Sequence, residues 1–304
     1  MNKVEEQFAA TGMLNCPWIN ATANLIEKAD LIVTNAHVLF DANGKQKGRL
    51  NQCRFVVRVG AITQTVGLSS DYAAGHSKSR KRNLQTKDWL VVKLKRKLSD
   101  ITPYSTVYPE NPLASKNATS SKKVWNVTVV AARNEDWPIN NGKVVPNVKS
   151  IGDCKVRDVS WPKLKISFKG VRAIRSDCDS GPGSSGGAYL FKRSGKYFIV
   201  GLITGLSLDA KIGRHGYKFG KHDAWGVLLS GAFLETVQSM TLGMGIREIQ
   251  QALLDLGFNP GPVDGKMGKK TRLAIRAFQK QSGLPDSGKI TPGMVEKLSK
   301  SLNE

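Results

Sequence analysis

The stretch "GPGSSGGA" at residues 181–188 places two adjacent serines among glycines, directly before an apolar run. A glycine that folding fixes costs backbone entropy and buries no side chain, so this stretch contributes little to a core. Amide hydrolysis by a serine hydroxyl, in contrast, needs an open turn whose backbone N–H groups converge on the oxygen that becomes negative. The composition therefore indicates a nucleophile turn.

Ser185 is the predicted nucleophile of this turn. The N–H groups of Gly183 and Ser185 are predicted to form the oxyanion hole, and Gly186 and Gly187 let the chain turn sharply into the next strand. Ser184 is the alternative nucleophile, but no glycine stands two residues before it at the donor position.

A serine hydroxyl is a weak nucleophile, so the hypothesis requires a base and a group that orients it. His37 follows the strand-like run in "LIVTNAHVLF" and is the predicted base, and Asp88 opens the strand-like run "DWLVVKL" and is the predicted acid. A carboxylate there can fix the imidazole tautomer and stabilise the imidazolium. The alternatives lie in polar or turn-like surroundings: His76, His215 and His222 for the base, and Asp41, Asp71, Asp100 and Asp136 for the acid.

The sequence segments that must position these residues have the pattern of short strands. From about residue 29 to 235, apolar runs rich in Val, Ile, Leu and Trp alternate with Gly, Asn, Asp, Ser and Lys clusters, which is typical of an all-β sandwich or barrel. Apolar residues then recur at helical spacing in "IREIQQALLDLGF" and "KKTRLAIRAFQKQ". The sequence predicts two domains, residues 1–240 and a small all-α domain at residues 241–304.

The small domain contains a weak internal repeat, because "GPVDGKMGKKT" and "LPDSGKITP" share the order proline, acid, Gly-Lys and threonine. Residues 245–298 resemble a three-helix peptidoglycan-binding domain, through Gln250, residues 253–257, "GPVDG", "AIRAFQ" and "GLP". Met267 departs from that family, which usually has an aromatic residue there, and filling a core gap is its simplest role. The resemblance implies peptidoglycan as a partner.

The larger domain resembles the trypsin-like, chymotrypsin-fold serine peptidases over roughly residues 8–238. The matching motifs are "TNAHV" around His37, "DWLVVKL" from Asp88 and "GSSGG" around Ser185, and the glycine-rich stretch is most similar to secreted bacterial members. The resemblance implies a protein or peptide substrate and two six-stranded barrels with the site between them. His37 and Asp88 would belong to the first barrel and Ser185 to the second.

Three further residues are expected to bind substrate by this resemblance. Asp179, six residues before Ser185, corresponds to the pocket floor of members that cleave after Lys or Arg, and support of the loop is its alternative role. Thr204 and Gly205 lie on the strand that binds the substrate backbone, where the family usually has an aromatic residue after the Ser or Thr. Glycine at this position predicts a wider cleft.

The four cysteines are Cys16, Cys53, Cys154 and Cys178, and none has the spacing of a zinc site. A Cys154–Cys178 disulfide would brace the glycine-rich loop, and Cys16–Cys53 would form a second pair. Disulfides indicate an oxidising compartment. Neither a signal peptide nor a membrane span is recognisable. From the disulfides and the two resemblances we expect a periplasmic or secreted, wall-associated protein, and we expect no metal and no cofactor.

The net charge is +22, of which residues 242–304, with ten basic and six acidic side chains, carry +4 and the remainder +18. Such a charge favours attraction to anionic polymers. Two alternatives to a peptidase follow: a catalytically silent protein that binds anionic wall polymer, and a nucleic-acid binder. The basic runs "HSKSRKR" and "KLKRK" contain no aromatic residue for base stacking, so no specific nucleic-acid binding is predicted.

Overall fold

The fold is seen in a computed structural model. The structure describes residues 6–76, 78, 87–106, 124–132, 139–140, 143–144, 149–159, 173–178, 183–206, 224–229 and 231–302. These residues form two closed β-barrels followed by helices. The predicted fold class, an all-β double barrel followed by a small all-α domain, is confirmed.

The first barrel has six antiparallel strands that close in the order β1-β2-β3-β6-β5-β4. Their bounds are β1 (Thr11–Cys16), β2 (Ile19–Leu25), β3 (Leu31–Thr34), β4 (Arg54–Val59), β5 (Ile62–Ala74) and β6 (Leu90–Leu94). The apolar runs of β3 and β6 are buried on both faces, because one face lines the barrel and the other is covered by the neighbouring structure. β3 and β6 pair directly, and the residues before β6 and after β3 therefore meet at one end of the barrel.

The second barrel closes in the order β10-β11-β14-β13-β12-β7. Its strands are β7 (Val124–Ala132), β10 (Lys149–Val159), β11 (Ala173–Ser176), β12 (Ala188–Arg193), β13 (Lys196–Leu206) and β14 (Ala224–Leu228). The strands β8 (Ile139–Asn140) and β9 (Lys143–Val144) form a separate two-stranded sheet. The serine turn directly precedes β12, so the start of this strand determines where the predicted nucleophile lies.

One hydrophobic cluster extends across both barrels, and the second barrel also encloses a separate cluster of its own. Leu190 and Leu202 of the second barrel belong to the same buried cluster as the strands of the first. The helix α1 (Ala232–Thr241) closes this core from outside, and its Phe233 contacts Trp89 edge-on, with ring centroids 5.6 Å apart. The Phe233 ring therefore packs against Trp89, directly beside the predicted acid Asp88.

The C-terminal helices are α2 (Ile246–Asp255), α3 (Lys269–Gln281) and α4 (Pro292–Ser301), and they enclose a core of their own. Met267 packs against this core, as its proposed gap-filling role requires. The internal repeat has a structural counterpart in two buried glutamines. The Oε1 of Gln250 accepts the N–H of Gly265, and the Oε1 of Gln279 accepts that of Gly288. Each glutamine therefore fixes one Gly-Lys loop.

An ion pair links the helical domain to the double barrel. The guanidinium of Arg272 on α3 meets both carboxylate oxygens of Glu235 on α1, with Nη1–Oε1 at 2.9 Å and Nη2–Oε2 at 2.6 Å. Two parallel hydrogen bonds of this kind fix orientation as well as distance. The pair is partly exposed and contributes about 1 kcal/mol or less to stability.

Candidate active site

The serine turn depends on glycine conformations. Gly183 and Gly186 both have φ of 87°, in the left-handed region that favours glycine. The N–H of Gly187 closes the turn onto Ser184 O at 2.7 Å, and the N–H of Gly186 bonds to Ile203 O on β13 at 2.9 Å. A Cβ on Gly186 would lie 2.0 Å from Thr22 O, so no side chain fits there.

The first barrel holds this turn through the strand β2. The N–H of Thr22 donates to Ser185 O at 2.8 Å, and Asn24 Nδ2 donates to Gly186 O at 2.7 Å. Thr22 Oγ1 also lies 3.0 Å from Gly183 O. Residues of the opposite barrel therefore help to fix the position of Ser185. Ser184, the alternative nucleophile, is buried within the turn.

The structure brings His37, Asp88 and Ser185 together. His37 lies in a single 3-10 turn, Ala36–Val38, just after β3, and Asp88 lies just before β6. His37 Nδ1 is 2.7 Å from Asp88 Oδ2, and His37 Nε2 is 3.1 Å from Ser185 Oγ. The imidazole is 17% exposed and the carboxylate is not exposed at all, so the contacts run from the interior to the surface.

The carboxylate of Asp88 is buried but well supplied with hydrogen bonds. Burial alone would raise the pKa of Asp88, but its charge interaction and hydrogen bonds with His37 and the hydrogen bond with His76 outweigh this effect. The resulting pKa of Asp88 lies below its ordinary value. An ionised carboxylate is thereby kept beside the His37 ring.

The oxyanion hole is predicted to consist of two backbone N–H groups of the serine turn. Within the described part of the chain, neither the N–H of Gly183 nor that of Ser185 donates a hydrogen bond. The oxyanion hole formed by these two groups stays a prediction.

His76 was not among the predicted site residues, yet its Nε2 lies 3.2 Å from Asp88 Oδ1. Its position in the basic run "HSKSRKR" indicated a solvated loop, whereas the residue is 5% exposed. The sequence carries no local signal for this contact, because it is the pairing of β5 with β6 that brings the end of β5 to Asp88.

Of the competing histidines and acids that the structure describes, only His76 joins this cluster. Asp41 caps a surface turn through its Oδ1, which accepts the N–H groups of Asn43 and Lys45. His215, His222 and Asp136 lie outside the described residues.

The residues predicted to bind substrate have different outcomes. Asp179 lies outside the described residues. Thr204 is buried, and its Oγ1 accepts a hydrogen bond from Asn35 Nδ2 at 3.2 Å. A Cβ on Gly205 would lie 2.6 Å from Cζ2 of Trp225, its partner on β14. The Trp225 ring therefore lies against Gly205, and the substrate-binding roles of Thr204 and Gly205 stay predictions.

Both predicted disulfides are confirmed. Cys16–Cys53 joins the end of β1 to the residue before β4, and Cys154–Cys178 joins β10 to the segment after β11. Each bridge lies within one barrel. Asp177 lies near Cys154 and Cys178, but these sulfurs are bonded to each other and do not form a metal site.

Comparison with known families supports the smaller domain. Residues 243–298 match the model of the putative peptidoglycan binding domain, a range that contains α2 and α3 and most of α4. No curated protein matches the chain. Among the described residues, no helix is both long and apolar enough to span a membrane.

Proposed function

We propose that this chain is a serine endopeptidase that its C-terminal domain tethers to the bacterial cell wall. The observation that carries the proposal is the continuous line of contacts from Asp88 through His37 to Ser185, at 2.7 Å and 3.1 Å. Nucleophile, base and orienting acid at hydrogen-bond distance are the arrangement that activates a serine hydroxyl.

In the first step, Ser185 Oγ attacks the carbonyl carbon of the scissile peptide bond while His37 Nε2 takes the hydroxyl proton. The electron pair of the carbonyl double bond moves to oxygen, and the N–H groups of Gly183 and Ser185 stabilise the resulting oxyanion. Asp88 retains its negative charge and stabilises the imidazolium through Nδ1. Its lowered pKa agrees with this role.

In the second step, the imidazolium of His37 gives its proton to the departing amine and the C–N bond breaks, leaving an ester on Ser185. Water then attacks the ester with His37 as the base, and the proton returns to Ser185 Oγ as the acid product leaves. These steps require no reactant other than the peptide and water.

Substrate preference has two candidate determinants. Asp179 as a pocket floor would favour Lys or Arg at the cleaved position, whereas Asp179 as a loop support would leave preference to other residues. The indole of Trp225 over Gly205 adds an apolar wall on the β13–β14 ribbon. Cleavage of a short-peptide library after Lys and Arg, and its loss in Asp179→Ser, would assign the pocket role; cleavage mainly after apolar or acidic residues would reject it.

The location of the enzyme follows from its second domain and its disulfides. A domain matching the peptidoglycan-binding model supports attachment to the wall, and two disulfides support an oxidising, periplasmic or extracellular environment. The +18 charge of residues 1–241 adds attraction to anionic wall polymers.

The alternative is a catalytically silent protein that binds wall polymer through its basic surface. An active-site-directed fluorophosphonate distinguishes the two, because the reagent requires an activated serine. The expected result is one label per molecule, located on Ser185 by peptide mass mapping and absent from Ser185→Ala. Absence of labelling in the folded wild-type protein would reject the peptidase and favour the silent binder.

A further inference from the structure

A second histidine contacts the carboxylate of Asp88. His37 Nδ1 lies 2.7 Å from Asp88 Oδ2, whereas His76 Nε2 lies 3.2 Å from Oδ1. His76 follows the end of β5 and is nearly fully buried. Buried histidines are usually hydrogen-bonded, so its two ring nitrogens must be accounted for.

The partner on the other nitrogen determines the tautomer of His76. The backbone N–H of Lys78 donates to His76 Nδ1 at 3.1 Å. A ring nitrogen that accepts a hydrogen bond carries no proton, so the proton of the neutral ring is on Nε2. His76 therefore donates this proton to Asp88 Oδ1.

The two oxygens of Asp88 are anchored differently. Oδ1 accepts from the backbone N–H of His37 at 2.9 Å and from His76 Nε2. Among the described residues, Oδ2 accepts only from His37 Nδ1. Two donors on Oδ1 prevent the carboxylate from rotating, and this leaves Oδ2 directed at the His37 ring.

Packing holds His76 in this place. The N–H of Gly75, directly before it, donates to Trp89 O at 2.9 Å. A Cβ on Gly75 would lie 2.3 Å from Lys87 O and 2.7 Å from the Trp89 ring. The end of β5 thus lies directly against the segment that carries Asp88, on both sides of that residue.

We propose that His76 is a positioning residue of the triad, which holds Asp88 Oδ1 so that Oδ2 remains on His37 Nδ1. The inference rests on the proposed peptidase function and adds a fourth side chain to it. His76 touches neither the nucleophile nor the substrate in this role, and it acts only through Asp88.

The test compares His76→Leu, which keeps much of the volume but has no donor, with His76→Gln, whose amide nitrogen reaches the place of Nε2. Loss of a hydrogen bond to a charged group predicts that His76→Leu slows fluorophosphonate labelling about 10- to 100-fold. The loss should lie in the maximal labelling rate and not in the half-saturating reagent concentration. His76→Gln should restore most of the rate.

A second readout is the proton NMR signal of His37 Nδ1–H, which its hydrogen bond to a carboxylate shifts far downfield. The signal should persist in wild type and His76→Gln and broaden in His76→Leu through exchange with water. If His76→Leu does not unfold cooperatively, His76→Asn replaces it, because its amide is equally polar but too short to reach Asp88.

Equal labelling rates in wild type and a folded Leu or Asn variant would overturn the proposal. So would a His76→Gln variant as slow as His76→Leu, because the hydrogen bond would then not be the operative feature. If the wild-type protein itself is not labelled, the proposed peptidase function is wrong. The NMR signal then still decides whether His76 holds Asp88 against His37.

Discussion

Asn24 on the second strand of the first barrel donates a hydrogen bond to the backbone oxygen of Gly186 in the serine turn of the second barrel, over 2.7 Å. The contact is buried, and Asn24 Oδ1 simultaneously accepts from Thr11 Oγ1 at 2.8 Å. The amide thus connects a strand of one barrel to the serine turn of the other.

Replacing this amide with an apolar side chain should weaken both stability and activity. Asn24→Leu leaves Gly186 O without its partner, and an unpaired buried acceptor costs about 1–3 kcal/mol. Denaturant unfolding measures the loss, and the fluorophosphonate labelling rate should fall with it. Asn20→Leu is the matched control, because Asn20 lies on the same strand and is exposed. Equal effects of the two substitutions would contradict a specific role for Asn24.

The serine turn should not tolerate a methyl group on Gly186. Gly186→Ala combines a positive φ with a Cβ 2.0 Å from Thr22 O, so the turn must shift and labelling should be lost. Gly195→Ala is the control, since its φ is 77° but no atom lies within 4 Å of its Cβ. The control should lose only about 1–2 kcal/mol for left-handed backbone, measured by thermal unfolding. Normal labelling of Gly186→Ala would show that the turn is adaptable.

The triad residues should act as a unit. Ser185→Ala and His37→Ala should each lower peptide hydrolysis by several orders of magnitude, and the double variant should be little slower than either single one. Rates on one fluorogenic peptide, with active-site titration of the wild type, measure this. Multiplicative losses in the double variant would mean that the two side chains act independently.

Asp71 on β5 should destabilise the protein at neutral pH. Burial raises the pKa of Asp71, and the nearby Glu248 of the helical domain raises it further against the opposing effect of Lys93. Because the folded state disfavours the ionised form, Asp71→Asn should be more stable than wild type above the raised pKa. The advantage should disappear as the pH falls below the ordinary value of about 3.8.

Thermal unfolding between pH 3 and 7 tests this prediction. Asp286→Asn removes the same charge from an exposed position and serves as the control. A stability difference for Asp71→Asn that does not depend on pH would argue against titration of this carboxyl as the cause.

The helical domain should account for salt-resistant binding to the wall. At about 0.3 M salt the Debye length is roughly 6 Å, so attraction through the basic surface is screened while binding by the helical domain itself persists. Deleting residues 242–304 should abolish sedimentation with purified peptidoglycan at that salt and spare hydrolysis of a small peptide. Full-length Ser185→Ala should still sediment. A truncated protein that sediments fully, or that folds but loses activity, would contradict the tether.

The sequence predicted those features that have a local signature. Short apolar runs predicted the strands, and glycines around Ser185 predicted a turn that the structure builds with two positive φ values. Helical spacing predicted α2 and α3, and the repeat of Gly-Lys loops corresponds to the two buried glutamines.

Contacts between distant segments had no such signature. His76 looked like part of a charged loop, because nothing in its neighbourhood shows that β5 ends against Asp88. Similarly, nothing near Gly205 in the sequence shows that the pairing of β13 with β14 brings Trp225 against it. Both contacts depend on partners that the tertiary fold brings together.

The contact between Asn24 and Gly186 joins residues that are 162 positions apart. Contacts of such long range form late in folding, because a large loop must close before they add any stability. A ribosome delivers the first barrel long before the serine turn, and the turn then completes its contacts by docking on β2. The proposed activity would therefore arise only when the double barrel is complete, and a partly made or unfolded chain would not cleave its neighbours.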